Sequence, residues 1–163
     1  MIEACICEGE HESHGELGPV DNTENVGRLV TSPNHFRKDG TLKPGTFPLS
    51  HIRSSGVSLL RIDRMSEEEI TEISHLIGKQ GETPVGVLVR TAASVRAIQD
   101  EKGDQALCVL DDPVLANPPY PDNPAHAIAV SSKERPDEDI AEIQNELMEL
   151  FNEALRTIGS VKK

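Results

Sequence analysis

The amino-acid sequence predicts an α+β fold with a mixed, mostly antiparallel sheet of about five strands, two to three helices and a long C-terminal amphipathic helix. Short apolar stretches of strand length alternate with turn residues along the chain. The order of the expected elements, roughly ββαβαββα with irregular loops, lacks the regular alternation of a doubly wound parallel fold. An amphipathic stripe near the C-terminus has the spacing of a helix packed on a core.

Two strands and a helix are expected in the first part of the domain. The first strand covers residues 27–32 and stops at Pro33, because proline cannot donate to a strand ladder. The second strand covers residues 56–63. Ser66 is followed three positions later by Glu69, which is the spacing of a capping box, and apolar residues then repeat every three or four positions. We therefore expect a helix that begins at Ser66.

The second part supplies the remaining strands. Residues 84–90 form an apolar run that predicts the buried centre of the sheet. Thr91 is expected to cap a short helix, and residues 106–111 and 126–131 are expected to form two further strands.

The longest helix is expected to begin beside Pro136 and to end at Gly159. Its apolar positions follow a helical repeat. They are Ile140, Ile143, Leu147, Leu150, Phe151, Leu155 and Ile158.

Length and composition indicate one domain with an aliphatic core. The chain of 163 residues has no Trp, one Tyr and three Phe, which disfavours binding of single-stranded nucleic acid by base stacking. We expect an acidic, loosely held or disordered tail at residues 1–26, one α+β domain at residues 27–159 and a basic tail at residues 160–163. A net charge of −12 also disfavours nonspecific binding to nucleic acid or anionic membrane. No apolar run approaches the ~20 residues of a membrane span.

The charge is unevenly distributed along the chain. Residues 1–26 contain seven acids and no Lys or Arg, whereas residues 27–64 contain seven bases and two acids. A basic segment inside an acidic protein either neutralises acids elsewhere in the fold or holds a small anion. Both interpretations remain open from the sequence.

The cysteines indicate a reducing, cytoplasmic setting. Their count is odd, two of them are one residue apart, and no hydrophobic signal segment precedes them. Cys5, Cys7, His11 and His14 could together complete a tetrahedral zinc site. The alternative is an acidic tail that happens to contain these residues, because Cys-x-Cys is tighter than the usual zinc knuckle. Cys108 is expected to be a small core residue.

A proline-rich loop brings His126 to the start of an apolar strand. Prolines fix φ and restrict the preceding residues, so the loop at residues 117–125 is stiff. His35 and His51 also follow proline-bounded loops. Histidine titrates near neutrality, so these three side chains can donate or accept a proton beside a bound anion. The simpler interpretation of each is a histidine bonded to a neighbouring carbonyl.

Arginines in the basic segment can hold an anion by forked hydrogen bonds. The candidates are Arg28, Arg53 and Arg61, and Asn123 in the late loop is a further candidate ligand. Of all these residues, His126, His35 and Arg28 are the candidates for a catalytic role. Asn123 is equally well explained as a turn residue.

Four segments carry a resemblance to known proteins. They are Arg28-Leu-Val, Phe47-Pro-Leu-Ser, Ser55-Gly-Val-Ser-Leu-Leu-Arg61 and Asp122-Asn-Pro-Ala-His-Ala127. Together they resemble the pattern of a group of small, uncharacterised bacterial proteins over about residues 27–132. That resemblance implies no established activity. The early arginine, the Gly-x-Ser strand and the late polar loop also resemble ADP-ribosyltransferase-type NAD-binding folds, at the level of the fold alone.

Two functional hypotheses follow. The first is a binding or accessory protein whose basic segment and His126 loop recognise a small anionic ligand or a protein partner. The second is a nucleotide- or NAD-directed enzyme, of the ADP-ribosyltransferase, phosphoryl-transfer or RNA-processing kind, that uses His126 with Arg28. The usual phosphate-binding loop, dinucleotide fingerprint and nucleophile elbow are missing from the sequence, which favours the first. A homo-oligomer joined through the C-terminal helix is a further option.

Overall fold

The computed structural model describes residues 17–77, 83–118 and 121–157, and its centre is a six-stranded sheet. Every pair of neighbouring strands is antiparallel. The α+β class is therefore confirmed, and the sheet has one strand more than the sequence predicts. The strands are β1 (Asn25–Ser32), β2 (Val57–Arg61), β3 (Thr83–Thr91), β4 (Leu107–Asp111), β5 (His126–Ser131) and β6 (Leu155–Thr157), in the order β4-β5-β2-β1-β3-β6.

Within the described ranges, three α-helices accompany the sheet. They are α1 (Glu67–Ile77), α2 (Ala92–Arg96) and α3 (Asp137–Phe151). The predicted capping box is present, since the Ser66 hydroxyl accepts from the Glu69 N–H at 3.1 Å and the Ser66 N–H donates to Glu69 Oε1 at 2.9 Å. The Thr91 hydroxyl likewise accepts from the Ser94 N–H at 3.2 Å. Both predicted helix starts are therefore confirmed.

Three short helical turns lie in the connections between these elements. They are the 3₁₀ turns at Pro44–Thr46 and Ile62–Arg64 and the π turn at His51–Ser55.

The C-terminal helix is shorter than predicted, because α3 ends at Phe151 and the chain turns back to form β6. Glu153 makes this reversal with a φ of 60°. Phe151 is fully buried against Phe47, with ring centroids 5.4 Å apart. Leu155, which matches the helical stripe, instead pairs with Leu88 of β3. Without β6 the β3 edge would present unpaired backbone groups, so pairing prevails over helical periodicity.

The sheet packs helices on both of its faces. The larger core joins Val26 and Val30 of β1 to Leu147 and Phe151 of α3. The smaller core is formed by side chains from β1, β2, β3, the turn after β2 and α1. Its buried members are Leu29, Leu60, Ile62, Ile70, Ile73 and Val87.

Part of the segment predicted as a tail belongs to the domain. Val20 is buried in the larger core, and β1 already begins at Asn25. Arg61 of β2 binds Glu24 through two hydrogen bonds of 2.8 and 2.7 Å, and it also donates to the Gly18 carbonyl at 2.7 Å. Residues 18–26 are thus held on the sheet, and residues 1–16 lie outside the described ranges.

Cys108 lies fully buried in β4, as expected of a core residue. Its sulfur is disulfide-bonded, so it is not a free thiol. A disulfide is disfavoured in a reducing compartment, and the predicted cytoplasmic location therefore stays a prediction.

Candidate functional site

A cavity of about 460 Å³ lies where β1 and β2 separate. The two strands are in register only at Val26 with Arg61 and at Gly27 with Leu60, whereas β1 pairs with β3 along its whole length. The cavity is lined by Gly27, Arg28, Leu29, Thr31, Asn34, His35, His51, Ser58, Leu59, Leu60, Ile73, Val114, Asn117, Pro121, Asn123 and His126.

The structure brings most of the predicted site residues to this cavity. Arg28, His35, His51, Asn123 and His126 all contribute to its lining. They come from β1, two proline-bounded loops and the loop before β5, which are far apart in the sequence. No Asp or Glu is among the lining residues of the described chain, although the protein has 28 acids. The cavity is therefore a locally basic region of an acidic protein.

Arg28 bridges the gap between the two strands. Its Nε donates to the Thr46 carbonyl at 2.9 Å and its Nη1 donates to the Ser58 carbonyl of β2 at 3.2 Å. Burial lowers the pKa of Arg28 to about 10. Among the described residues no carboxylate forms an ion pair with this guanidinium. A partly buried cation without a counter-charge is costly, and an anion would compensate it.

His51 brings an unpaired polar atom to the same cavity. Its Nδ1 is buried and has no hydrogen-bond partner. The pKa of His51 is lowered, first by burial and second by the positive charge of Arg28, so the ring is neutral at neutral pH. A buried nitrogen without a partner is rare in folded proteins and is often paired by a ligand or a bound water.

His35 has a fixed tautomer. Its Nδ1 is 2.9 Å from the backbone N–H of Thr31, which can only donate. Nδ1 therefore accepts, and the ring is neutral with its proton on Nε2. This arrangement explains why a histidine follows the turn after β1. It also makes Nε2 of His35 a hydrogen-bond donor.

His126 is oriented by Asp112. Its Nδ1 lies 2.7 Å from the Asp112 carbonyl oxygen and 3.3 Å from the Asp112 carboxylate Oδ2. Because both oxygens accept, Nδ1 carries a proton, and Nε2 of the neutral ring is an acceptor. The His126 side chain is 13% exposed, and the residue lines the cavity. His126 thus bonds a backbone carbonyl, as the simpler interpretation expects, but within a concave site.

Asn123 is held in place by the loop that precedes β5. Its Oδ1 accepts from the Ala125 N–H at 3.0 Å, and its backbone pairs with Val114 in both directions. The residue is buried and lines the cavity. No bond from its side-chain amide nitrogen to another described residue is formed, which leaves that donor for a ligand.

Two predicted arginines lie elsewhere. Arg53 is exposed and pairs with Asp137 at the start of α3. Arg61 is fully buried, and each of its five N–H groups is used: by Glu24, by Asp111 at 3.1 Å, and by the carbonyls of Gly18 and Pro19. Neither residue lines the cavity. The charge of Arg61 is neutralised inside the fold and is not available to a ligand.

The apolar wall was not predicted from the sequence. It is formed by Leu29, Leu60, Ile73, Val114 and the backbone region around Gly27. Ser58 also lines the cavity, and its one sequence signal is that it is the polar residue in the apolar β2 stretch. Which apolar residues face a cavity depends on where β1 and β2 separate, and that cannot be read from alternation alone.

The predicted zinc site lies in a part of the chain that the structure does not describe. Cys5, Cys7, His11 and His14, the proposed zinc ligands, lie outside the described residues. In the described ranges, no helix is long and apolar enough to cross a membrane. Searches against protein-family models, curated proteins and solved structures each found no match to this chain.

Proposed function

We propose that this protein binds a small anionic ligand in the cavity between β1 and β2. One observation supports the proposal most directly. Arg28 is half-buried, has a pKa lowered by that burial, lacks a carboxylate partner among the described residues and lines a cavity to which those residues contribute no acid. In a protein with a net charge of −12, such a site is selective for a negative group.

The surrounding groups suit the same ligand. Arg28 uses two of its five N–H groups on carbonyls, so three remain for an anion. Nδ1 of His51 and the side-chain amide nitrogen of Asn123 are further groups without a partner in the described chain. A cavity of about 460 Å³ is within the ~300–1,000 Å³ of small-molecule sites. A protein partner would have to insert a side chain or a terminus into this space.

Binding can be tested by thermal shift and calorimetry on the full chain. Phosphate, simple carboxylates and nucleotides should be compared at constant ionic strength, because a ligand that binds the folded state raises the melting temperature. Arg28→Met should remove the response to the best anion. Arg53→Met removes an arginine of the same basic segment outside the cavity and should retain it. A response that survives Arg28→Met, or that no anion produces, would contradict the proposal.

The alternative is an enzyme, nucleotide- or NAD-directed, that uses His126 as a general base. It is favoured by the Asp112 contacts at Nδ1, because an imidazole held at one nitrogen presents the other for proton transfer. If a substrate for this site is found, His126→Asn should lower kcat at least a hundredfold with little change in KM. An equal loss of binding in the absence of turnover would assign His126 to ligand recognition instead.

A further inference from the structure

We infer that the ligand of this cavity is an amphipathic monocarboxylate, with its carboxylate on Arg28 and its apolar body against Leu29, Leu60 and Ile73. This inference rests on the proposed function and names the chemical class of the anion. It follows from the charge of the lining, from its apolar wall and from the hydrogen-bonding groups that the described lining does and does not offer.

The lining carries one fixed positive charge. Arg28 is cationic throughout the neutral pH range even with a pKa of about 10. His35 is neutral because its Nδ1 accepts a backbone N–H, and His51 is neutral because partial burial and the charge of Arg28 lower its pKa. One cation balances one negative charge. A phosphate dianion would leave an uncompensated charge in a partly desolvated site.

The geometry of Arg28 fits a planar anion. Its guanidinium is fixed by the carbonyls of Thr46 and Ser58, so the unused N–H groups have a set direction. Arginine binds carboxylates with a pair of parallel hydrogen bonds in one plane. The unpaired Nδ1 of His51 can add a third hydrogen bond to the same carboxylate, which would satisfy that buried nitrogen.

Part of the lining is aliphatic. Leu29, Leu60 and Ile73 are at most 8% exposed and belong to the smaller core, and Val114 lines the cavity beside them. A ligand consisting of the charged group alone would leave this surface in contact with water. An aliphatic body of a few carbons would cover it, and each buried methylene raises affinity roughly three- to fourfold.

A nucleotide fits the described lining less well. Nucleotide sites supply an acceptor, usually a carboxylate, for the ribose hydroxyls. The described residues of the cavity offer no carboxylate. The chemistry that remains is a single acidic head on an apolar body.

The test uses matched probes on the full chain by isothermal titration calorimetry. Hexanoate has both parts, acetate has only the head, and 1-hexanol has only the body. We expect hexanoate to bind at least tenfold more tightly than either acetate or 1-hexanol. Inorganic phosphate and AMP serve as the competing anions, and both should bind at least tenfold more weakly than hexanoate.

Two variants test recognition of the carboxylate and of the apolar body of the ligand separately. Arg28→Met should weaken hexanoate about ten- to one-hundredfold, as expected for loss of a charge-assisted hydrogen bond, and leave 1-hexanol little changed. Arg28 also holds two carbonyls and its loss can impair folding, so Val114→Phe provides a second test. The added ring fills part of the cavity and should weaken hexanoate more than acetate. Arg53→Met is the control and should bind hexanoate as the unmodified chain does.

The outcomes distinguish this inference from the proposed function. Tighter binding of phosphate or AMP than of hexanoate would overturn the monocarboxylate assignment while leaving an anion site at Arg28. Equal binding of 1-hexanol and hexanoate would show that the carboxylate is not recognised and would also overturn it. If none of the anions binds, the proposed function itself fails.

Discussion

At the scale of single residues, the cavity depends on the charge of Arg28, which no carboxylate among the described residues pairs. Arg28 and His51 lie close enough for the arginine to lower the histidine pKa. The folded-state pKa of His51 is below its ordinary value of 6.5, so the unfolded chain binds the proton more readily. The contribution of His51 to stability is therefore present above pH 6.5 and is lost as the pH falls below it.

We predict that Arg28→Met raises the pKa of His51 without restoring it to 6.5, because burial remains the larger cause of its depression. The imidazole resonance can be followed by NMR between pH 4 and 8 and assigned with His51→Gln. Arg53→Met should leave that pKa unaltered. An unchanged His51 pKa in the Arg28→Met protein would show that the two side chains are not electrostatically coupled.

Arg61 is the opposite case, a charge that is fully neutralised. The pKa of Arg61 is raised, chiefly by its hydrogen bond to Glu24. Burial by itself raises the pKa of Glu24, but the hydrogen bonds from Arg61 and from the Asp21 N–H outweigh it, and the net shift is downward. Removing the arginine would take away the buried cation that Glu24 and Asp111 share.

Arg61→Met should lower the free energy of unfolding by about 3–5 kcal/mol, the usual cost of breaking a buried ion pair from one side. The same substitution at Arg53, whose pair with Asp137 is solvent-exposed, should cost less than about 1 kcal/mol. Urea denaturation of the two variants provides the comparison. Similar small losses in both would mean that the Arg61 cluster does not stabilise the fold.

The sequence distinguishes these two arginines poorly. Both lie in the same basic segment, and the partners of Arg61 are 37 and 50 residues away in the chain. Histidines in proline-bounded loops were better signals, and His35, His51 and His126 do line one cavity. Local chemistry identifies side chains that are suited to a site, whereas long-range contacts decide which of them are neutralised.

At the scale of elements, β2 is preceded by a glycine, Gly56, that the packing requires. Gly56 has a φ of +91°, and a Cβ at this position would lie 2.7 Å from the side chain of Ile128 on β5. Gly40 has the same φ of +91°, but a Cβ there would meet nothing within 4 Å. A side chain at Gly40 would therefore meet backbone strain alone, whereas a side chain at Gly56 would meet backbone strain and steric overlap together.

We expect Gly40→Ala to cost about 1 kcal/mol of unfolding free energy, because alanine is strained at positive φ. Gly56→Ala should cost about 1–3 kcal/mol more, since Ile128 would have to move. Chemical denaturation of both variants measures the difference. Equal costs would indicate that β2 and β5 adjust without strain.

The elements that the sequence predicted well have local causes. The capping box at Ser66 and the cap at Thr91 depend on residues three positions apart. β6 was missed because Leu155 fits the helical repeat and also fits an edge strand. Its conformation is decided by the unpaired edge of β3, more than 60 residues earlier in the chain, so no local pattern contains that information.

At the scale of the whole molecule, the segment before β1 completes the domain. Val20 is in the larger core, Arg96 of α2 donates to the Val20 carbonyl at 2.8 Å, and Glu24 pairs with Arg61. The acidic composition of residues 1–26 predicts a tail. Composition alone does not show that a buried arginine pairs with one of those acids.

A chain that starts at residue 27 should therefore be less stable than one that starts at residue 17, by more than about 3 kcal/mol. The shorter chain lacks Val20 and Glu24, and Asp111 alone is left to balance Arg61 inside the fold. Both chains lack residues 1–16, so thermal or urea unfolding under reducing conditions isolates the contribution of residues 17–26. Equal stability would show that this segment is dispensable.

The separation of β1 from β2 also affects how rigid the sheet is. The sheet consists of two three-stranded ribbons, β4-β5-β2 and β1-β3-β6. Their backbones pair at only two positions along the seam, and the Arg28 side chain also bonds across it. A ligand bound at that seam would contact both ribbons and restrict their movement relative to each other. Occupancy would then stiffen the whole sheet, and its amide protons on both sides of the seam would exchange more slowly with solvent deuterium.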